Sequence, residues 1–126
     1  MKELTKAEEQ VMQVLWHLKK GFVKDVLQEL PPPRPAYNTV STIIRILEKK
    51  GFVGYHAFGK THEYYPLVEK GDYSKFAAKG LLDRFFGGSL KQMVSFFVEE
   101  ENLSLQETDE LLRLLREQQN APAKDE

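Results

Sequence analysis

The amino-acid sequence predicts a mainly α fold with a small β wing: a winged helix-turn-helix domain followed by a C-terminal helical module. Three observations carry this prediction. Apolar residues recur at helical spacing in three separate runs within the first 50 residues. The period then changes between 52 and 67, where aromatic and β-branched residues flank a Gly-Lys turn. From about 73 the helical spacing returns and is punctuated by two Ser-x-x-Gln/Glu starts. The expected boundaries are 1–70 for the winged domain, 71–118 for the helical module and 119–126 for a polar, flexible tail.

Thr5-Lys6-Ala7-Glu8 reads as a capping box, and Ala7, Val11, Val14, Leu15 and Leu18 follow at helical spacing. This predicts a first helix over about 5–20, stopped by Gly21. A second, short helix is expected at about 23–30, with Val26, Leu27 and Leu30 on its apolar side. The run Pro31-Pro32-Pro33-Arg34-Pro35 ends it, because each proline lacks a donor and restricts the residue before it. The same run contains a P-x-x-P pattern, but helix termination and a stiff connection account for it. A third helix is expected over 37–50, with Val40, Ile43, Ile44 and Leu47 as its buried stripe and Gly51 as its stop. Its other side carries Asn38, Ser41, Thr42, Arg45 and Lys49.

A two-residue Gly59-Lys60 turn suits a hairpin between 52–58 and 62–67. Pairing about that turn sets His56 opposite Glu63 and His62 opposite Ala57. The two histidines then fall on opposite faces of the ribbon and do not share a metal. His17 has no second ligand at helical spacing. Beyond the hairpin, Tyr73, Phe76, Ala77, Leu81 and Phe85 form a helix that runs to Gly87-Gly88. Ser89-Leu90-Lys91-Gln92 opens the next helix and Ser104-Leu105-Gln106-Glu107 the last.

Composition narrows the function classes. No cysteine is present, which removes disulfides, zinc–thiolate sites and thiol nucleophiles together and fits a reducing compartment. The first ten residues have no apolar run of a secretory signal, and no apolar stretch approaches a bilayer span. A cytoplasmic protein without membrane insertion is expected. The net charge of −1 conceals an asymmetry: residues 1–30 sum to 0, 31–68 to +3 and 69–126 to −4. Phosphate attraction follows local charge, so a basic middle is compatible with nucleic acid. No Ser–His–Asp order, phosphate-binding glycine loop or ligand-spaced carboxylate cluster is evident, so neither an enzyme nor a cofactor is expected.

Two short helices, a third with one polar face and then a hairpin match a helix-turn-helix with a β wing, whose third helix enters the major groove. A polar helix face is ordinarily only a solvated face, and it is the order of elements that points to DNA. Asn38 and Arg45 carry the side chains that pair bidentately with adenine and guanine, with Ser41 and Thr42 between them. Thr39 and the first amides of the helix are placed to hold a phosphate, Lys60 at the hairpin tip to reach the neighbouring minor groove or its phosphates, and Tyr37 and Lys49 complete the expected DNA-binding set. A winged-helix adaptor that docks proteins without reading DNA is the alternative from a different class.

The segments LTKAEEQVMQVLW, VKDVLQEL, YNTVSTIIRILEKKGFV and GKTHEYYPLV resemble the penicillinase repressor (BlaI/MecI) family, over about residues 4–116. The most specific parts are Leu15-Trp16, the stretch Thr39 to Thr42 and the run Leu47 to Gly51. The resemblance implies a dimeric bacterial repressor on a palindromic operator, with the helix at 37–50 as recognition helix, Lys60 on the wing and the C-terminal helices as dimerisation domain. It also implies a membrane sensor-transducer protease as partner, cutting within an Asn-Phe pair. Phe96-Phe97 occupies that pair here, so the asparagine is missing and the usual cut is not expected. Relatives that sense copper use C-terminal cysteines, which this chain lacks.

The residues independently favour pairing of two chains. Phe85, Phe86, Met93, Phe97, Leu105, Leu111, Leu112 and Leu115, with Phe96, exceed the apolar surface that one small helical module buries. A second copy covers such surface and sets two recognition helices against a palindrome.

Overall fold

The computed structural model describes residues 1–100 and 104–120. Its elements run α1 (Lys6–Leu18), α2 (Val23–Glu29), α3 (Tyr37–Lys49), β1 (Val53–Phe58), β2 (Thr61–Pro66), α4 (Lys70–Phe86), α5 (Leu90–Glu100) and α6 (Leu105–Asn120). The mainly α architecture with a two-stranded wing is therefore as expected. By packing, the chain divides into Met1–Ala78 and Lys79–Glu126, with α4 running from the first into the second.

In the first unit, α1 begins on the expected capping box. The Thr5 hydroxyl accepts the Glu8 amide at 3.2 Å, and a Glu8 carboxylate oxygen accepts the Thr5 amide at 2.8 Å. The buried stripe of α1 is Glu8, Val11, Met12 and Leu15, while Ala7 is exposed and Val14 and Leu18 are only half-buried. This corrects the expected stripe. The spacing i, i+3, i+4, i+7 is kept, but its first member is an acid.

At the start of α2 the Asp25 carboxylate accepts the Phe22 amide at 2.9 Å, so the acid at the third position ties down an orphan donor. After α2 ends, Arg34 folds back: its Nε donates to Leu30 O at 3.1 Å and its Nη2 to Gln28 O at 2.9 Å. These bonds satisfy carbonyls that the proline run leaves open. The third helix buries Val40, Ile44 and Leu47, with Ile43 packed against them. It closes with a Schellman pattern, in which Gly51 N–H donates to Glu48 O and Phe52 N–H to Leu47 O. Gly51 has φ +83°, which a side chain would resist, and Phe52 and Leu47 meet in the core.

The hairpin register runs from Val53 opposite Pro66 to Phe58 opposite Thr61, with His56 opposite Glu63 and Ala57 opposite His62, as the turn predicts. Gly21 makes an isolated antiparallel bridge to the wing, since Gly21 and Tyr64 exchange amide–carbonyl bonds of 2.9 and 2.8 Å. That bridge fixes the wing to the end of α1. The start of α4 belongs to this unit as well. Tyr73 is buried against Trp16, Phe52 and Phe76, and its hydroxyl accepts the Leu4 amide at 2.8 Å. Trp16 Nε1–H donates to Val68 O at 2.9 Å.

The second unit holds the rest of α4, α5 and α6. The α4 helix stops at Gly87 and Gly88, both at positive φ. Ser89 and Ser104 accept the amides of Gln92 and Glu107 at 3.1 Å, as N-caps of α5 and α6. The rings of Phe86, Phe96 and Phe97 touch in sequence, at 5.6 and 5.7 Å between centroids. No residue of α5 is buried. The α6 helix includes the first two residues of the expected 119–126 tail, and residues 121–126 lie outside the described ones.

Candidate nucleic-acid interface

The outward face of α3, the start of α2 and one face of the wing enclose a cleft of about 670 Å³. Its walls follow from the local rules above. The proline run delivers the chain to α3 with Ala36 as N-cap, and no side chain caps the first amides of the helix. Tyr37, Ser41, Arg45, Glu48 and Lys49 then line the cleft. They recur at i, i+4, i+8, i+11 and i+12, which is one face of a helix. The wing supplies Tyr55, Lys60, Thr61, His62 and Tyr64, and α2 supplies Lys24 behind Phe22 and Val23. Four cations face one carboxylate, so the cleft favours an anion although the whole chain carries −1.

Of the expected readers, Tyr37, Ser41, Arg45, Lys49 and Lys60 come together around this cleft. Asn38, Thr39 and Thr42 are exposed on α3 outside it. The Thr42 hydroxyl donates to Asn38 O at 2.9 Å, which ties its proton to the helix and leaves its oxygen as an acceptor. Tyr37 is 52% exposed at the first turn, beside the uncapped amides.

The wing wall is braced from within. Tyr55 and His62 stack at 4.2 Å with planes 6° apart, and Tyr64 lies 6.0 Å from Tyr55. His56 stacks on Tyr65 at 4.9 Å on the opposite face, as the alternation requires. At the tip Phe58 leans on Phe22, and the Thr61 hydroxyl donates to Phe58 O at 2.8 Å. Lys60 therefore projects from a turn anchored to α2. Burial, reinforced by the Glu48 carboxylate, pushes the Tyr64 phenol above its ordinary pKa, while Arg45 pulls the other way. Tyr64 stays neutral, a floor for the cleft.

Reading the sequence missed Lys24, Phe22, Glu48, Tyr55, His62 and Tyr64 as parts of this surface. Lys24 lay on a helix treated only as scaffold. For the wing residues, a signal existed: alternation puts Tyr55, Ala57, His62 and Tyr64 on the face shared with neither His56 nor Tyr65. Among the described residues no group of three or more His, Asp or Glu could hold a metal ion. No described helix is long and apolar enough to cross a membrane.

The expected pairing residues of the second unit lie at or near the surface of the single chain. Phe85, Phe97, Leu105, Leu112 and Leu115 are exposed, Phe85 by 71% and Leu105 by 79%, while Phe86, Met93 and Leu111 are half-buried. Phe96, at the expected proteolysis position with Phe97, is also exposed on α5.

Comparison with known proteins agrees with this geometry. The solution structure of the DNA-binding domain of the repressor BlaI superposes with a TM-score of 0.50 at 30% identity, covering 58% of this chain and 94% of that domain. The penicillinase repressor of Bacillus licheniformis is 32% identical over 119 residues, covering 94% of this chain and 93% of the relative. The methicillin resistance regulatory protein MecI of Mammaliicoccus sciuri is 32% identical over 114 residues, covering 90% and 93%. The sequence model of the penicillinase repressor family matches residues 4–117. Matched across nearly its whole length, the chain belongs to the penicillinase repressor family.

Proposed function

We propose that this protein is a non-enzymatic bacterial transcriptional repressor that binds a palindromic DNA operator as a homodimer. The observation that carries the reading is the cationic cleft between the outward face of α3 and the wing. The α3 face fits a major groove, with Arg45 and Asn38 as base readers and Ser41 and Thr42 as supporting contacts. Tyr37, Thr39 and the uncapped amides of α3 suit one phosphate, and Lys49 and Lys60 suit others. The BlaI neighbour, titled as a DNA-binding domain, supports the same assignment.

Pairing through the end of α4, α5 and α6 is supported by the exposed Phe85, Phe97, Leu105, Leu112 and Leu115, which a second copy would cover. Release by a membrane sensor-transducer protease at an Asn-Phe bond is not part of this proposal, because the resemblance sets Phe96-Phe97 against that pair. The working compartment is the cytoplasm, where the operator lies.

The test is a mobility shift on the duplex upstream of the chain's own gene, with sedimentation of the free protein alongside. A sequence-dependent shift and a dimer are expected. A monomer contradicts the pairing. Failure to shift any duplex favours the protein-docking adaptor instead.

A further inference from the structure

An ion pair outside the cleft, between buried Glu8 and half-buried Lys50, ties the start of α1 to the end of α3. Glu8 is 4% exposed, and its two carboxylate oxygens accept from Lys50 Nζ at 2.7 and 2.9 Å. Glu8 sits in the first turn of α1, and Lys50 is the C-cap of α3. Each charge also meets the favourable end of its own helix dipole, the carboxylate near an N-terminus and the ammonium near a C-terminus. The oxygen nearer Lys50 accepts the Thr5 amide as well, so one carboxylate holds both the start of α1 and the end of α3.

The apolar contacts of α3 do not have this directionality. Val40, Ile44 and Leu47 are fully buried and fix how deeply α3 sits in the core, while the short charged bond adds a directional tie at its C-terminal end. At the other end of α3, the cap is Ala36, no side chain bonds the first amides, and Val40 is the first side chain of the helix buried in the core. The helix is a rod of 13 residues, about 20 Å long, anchored by charge at the end far from Tyr37 and Asn38. A tilt of about 10° about that anchor moves Tyr37 and Asn38 by about 3 Å, the length of a hydrogen bond. Base contacts fail at that displacement, whereas phosphate attraction barely changes.

We infer that Glu8 and Lys50 are positioning residues for the recognition helix, setting sequence discrimination rather than overall attraction to DNA. The inference rests on the DNA-reading proposal above for its consequence, though not for its geometry.

The test uses the full chain as wild type, Glu8→Gln, Lys50→Met and Lys50→Arg, each first shown by thermal melting to be folded at the working temperature. Glu8→Gln keeps one oxygen for the Thr5 amide, removes the charge and turns the second acceptor of Lys50 into a donor. Two quantities are measured: binding to the upstream duplex against a scrambled duplex, and residual dipolar couplings of α1 and α3 amides without DNA. For Glu8→Gln and Lys50→Met the specific-to-scrambled ratio is expected to fall about tenfold, with scrambled binding nearly unchanged. The couplings should report α3 rotated against α1, and Lys50→Arg should restore both readouts. Lowered melting temperature with unchanged ratio and couplings overturns the inference. So does an equal loss on both duplexes in Lys50→Met alone, which makes Lys50 a phosphate contact. If wild type does not distinguish the duplexes, the DNA-reading proposal fails, and the couplings alone decide the positioning.

Discussion

At the scale of single residues, Glu8 shows where sequence reading stops. Periodicity searches look for apolar side chains, so an acid at the head of the stripe is assigned to solvent or to a cap. Here it caps α1 and is at the same time buried against Lys50. Its partner is 42 residues away, a distance that no local pattern spans. Burial alone would raise the Glu8 pKa. The Lys50 bond, the Thr5 amide and the Lys50 charge outweigh it, so the folded value lies below the ordinary 4.5. A depressed folded pKa adds stability that is present above the unfolded value and lost as pH falls through the folded one. Glu8→Gln should therefore be less stable than wild type at neutral pH, by about 1.5–3 kcal/mol for a charged bond. Urea unfolding from pH 7 to pH 3 should show that gap narrowing below about pH 4.5, and a gap constant with pH would contradict the pairing. The fully buried Ile44 is simpler: Ile44→Ala should cost about 2–5 kcal/mol in the same assay.

At the scale of elements, most of the first unit was legible. Thr5, the proline run and Gly51 punctuate the chain where the helices begin and end, because capping and backbone chemistry are local, whereas α1 stops at Lys19, a non-glycine at φ +73°, and not at the expected Gly21. The hairpin register followed from the two-residue turn at Gly59-Lys60, and the opposed faces of His56 and His62 followed from it. The cleft was legible only by half. The face of α3 could be read from its period, but the Tyr55–His62 wall and Lys24 required knowing that the wing folds back beside α2 and α3. Two predictions belong here. Gly51→Ala forces a side chain to φ +83° at the end of α3 and should cost about 1–2 kcal/mol in thermal or urea unfolding. Lys60→Ala should leave the fold intact and lower the slope of log binding constant against log salt by about 1, as one phosphate contact is lost. An unchanged slope would take the wing tip off the DNA.

At the scale of the whole molecule, the two units pose different questions. The first is self-sufficient only if it keeps the start of α4, since Tyr73 and Phe76 pack on its core and Tyr73 holds Leu4. A fragment ending at Ala78 should unfold cooperatively as a monomer, whereas one ending at Leu67 should be markedly less stable in the same melt. The second unit carries the exposed apolar residues that the pairing proposal uses, and the excess of Phe and Leu there was readable from the sequence alone. The geometry of pairing was not, because it depends on a second chain. The central claim, however, concerns α3 and DNA, and Arg45 is its sharpest point. The most direct measurement compares wild type with Arg45→Ala on the upstream duplex and on a scrambled duplex across a salt series. Arg45→Ala should lose roughly 10- to 100-fold on the upstream duplex and little on the scrambled one, consistent with about 1–3 kcal/mol of base discrimination. Equal affinities of the two proteins for the upstream duplex at every salt concentration would contradict α3 as the reading helix.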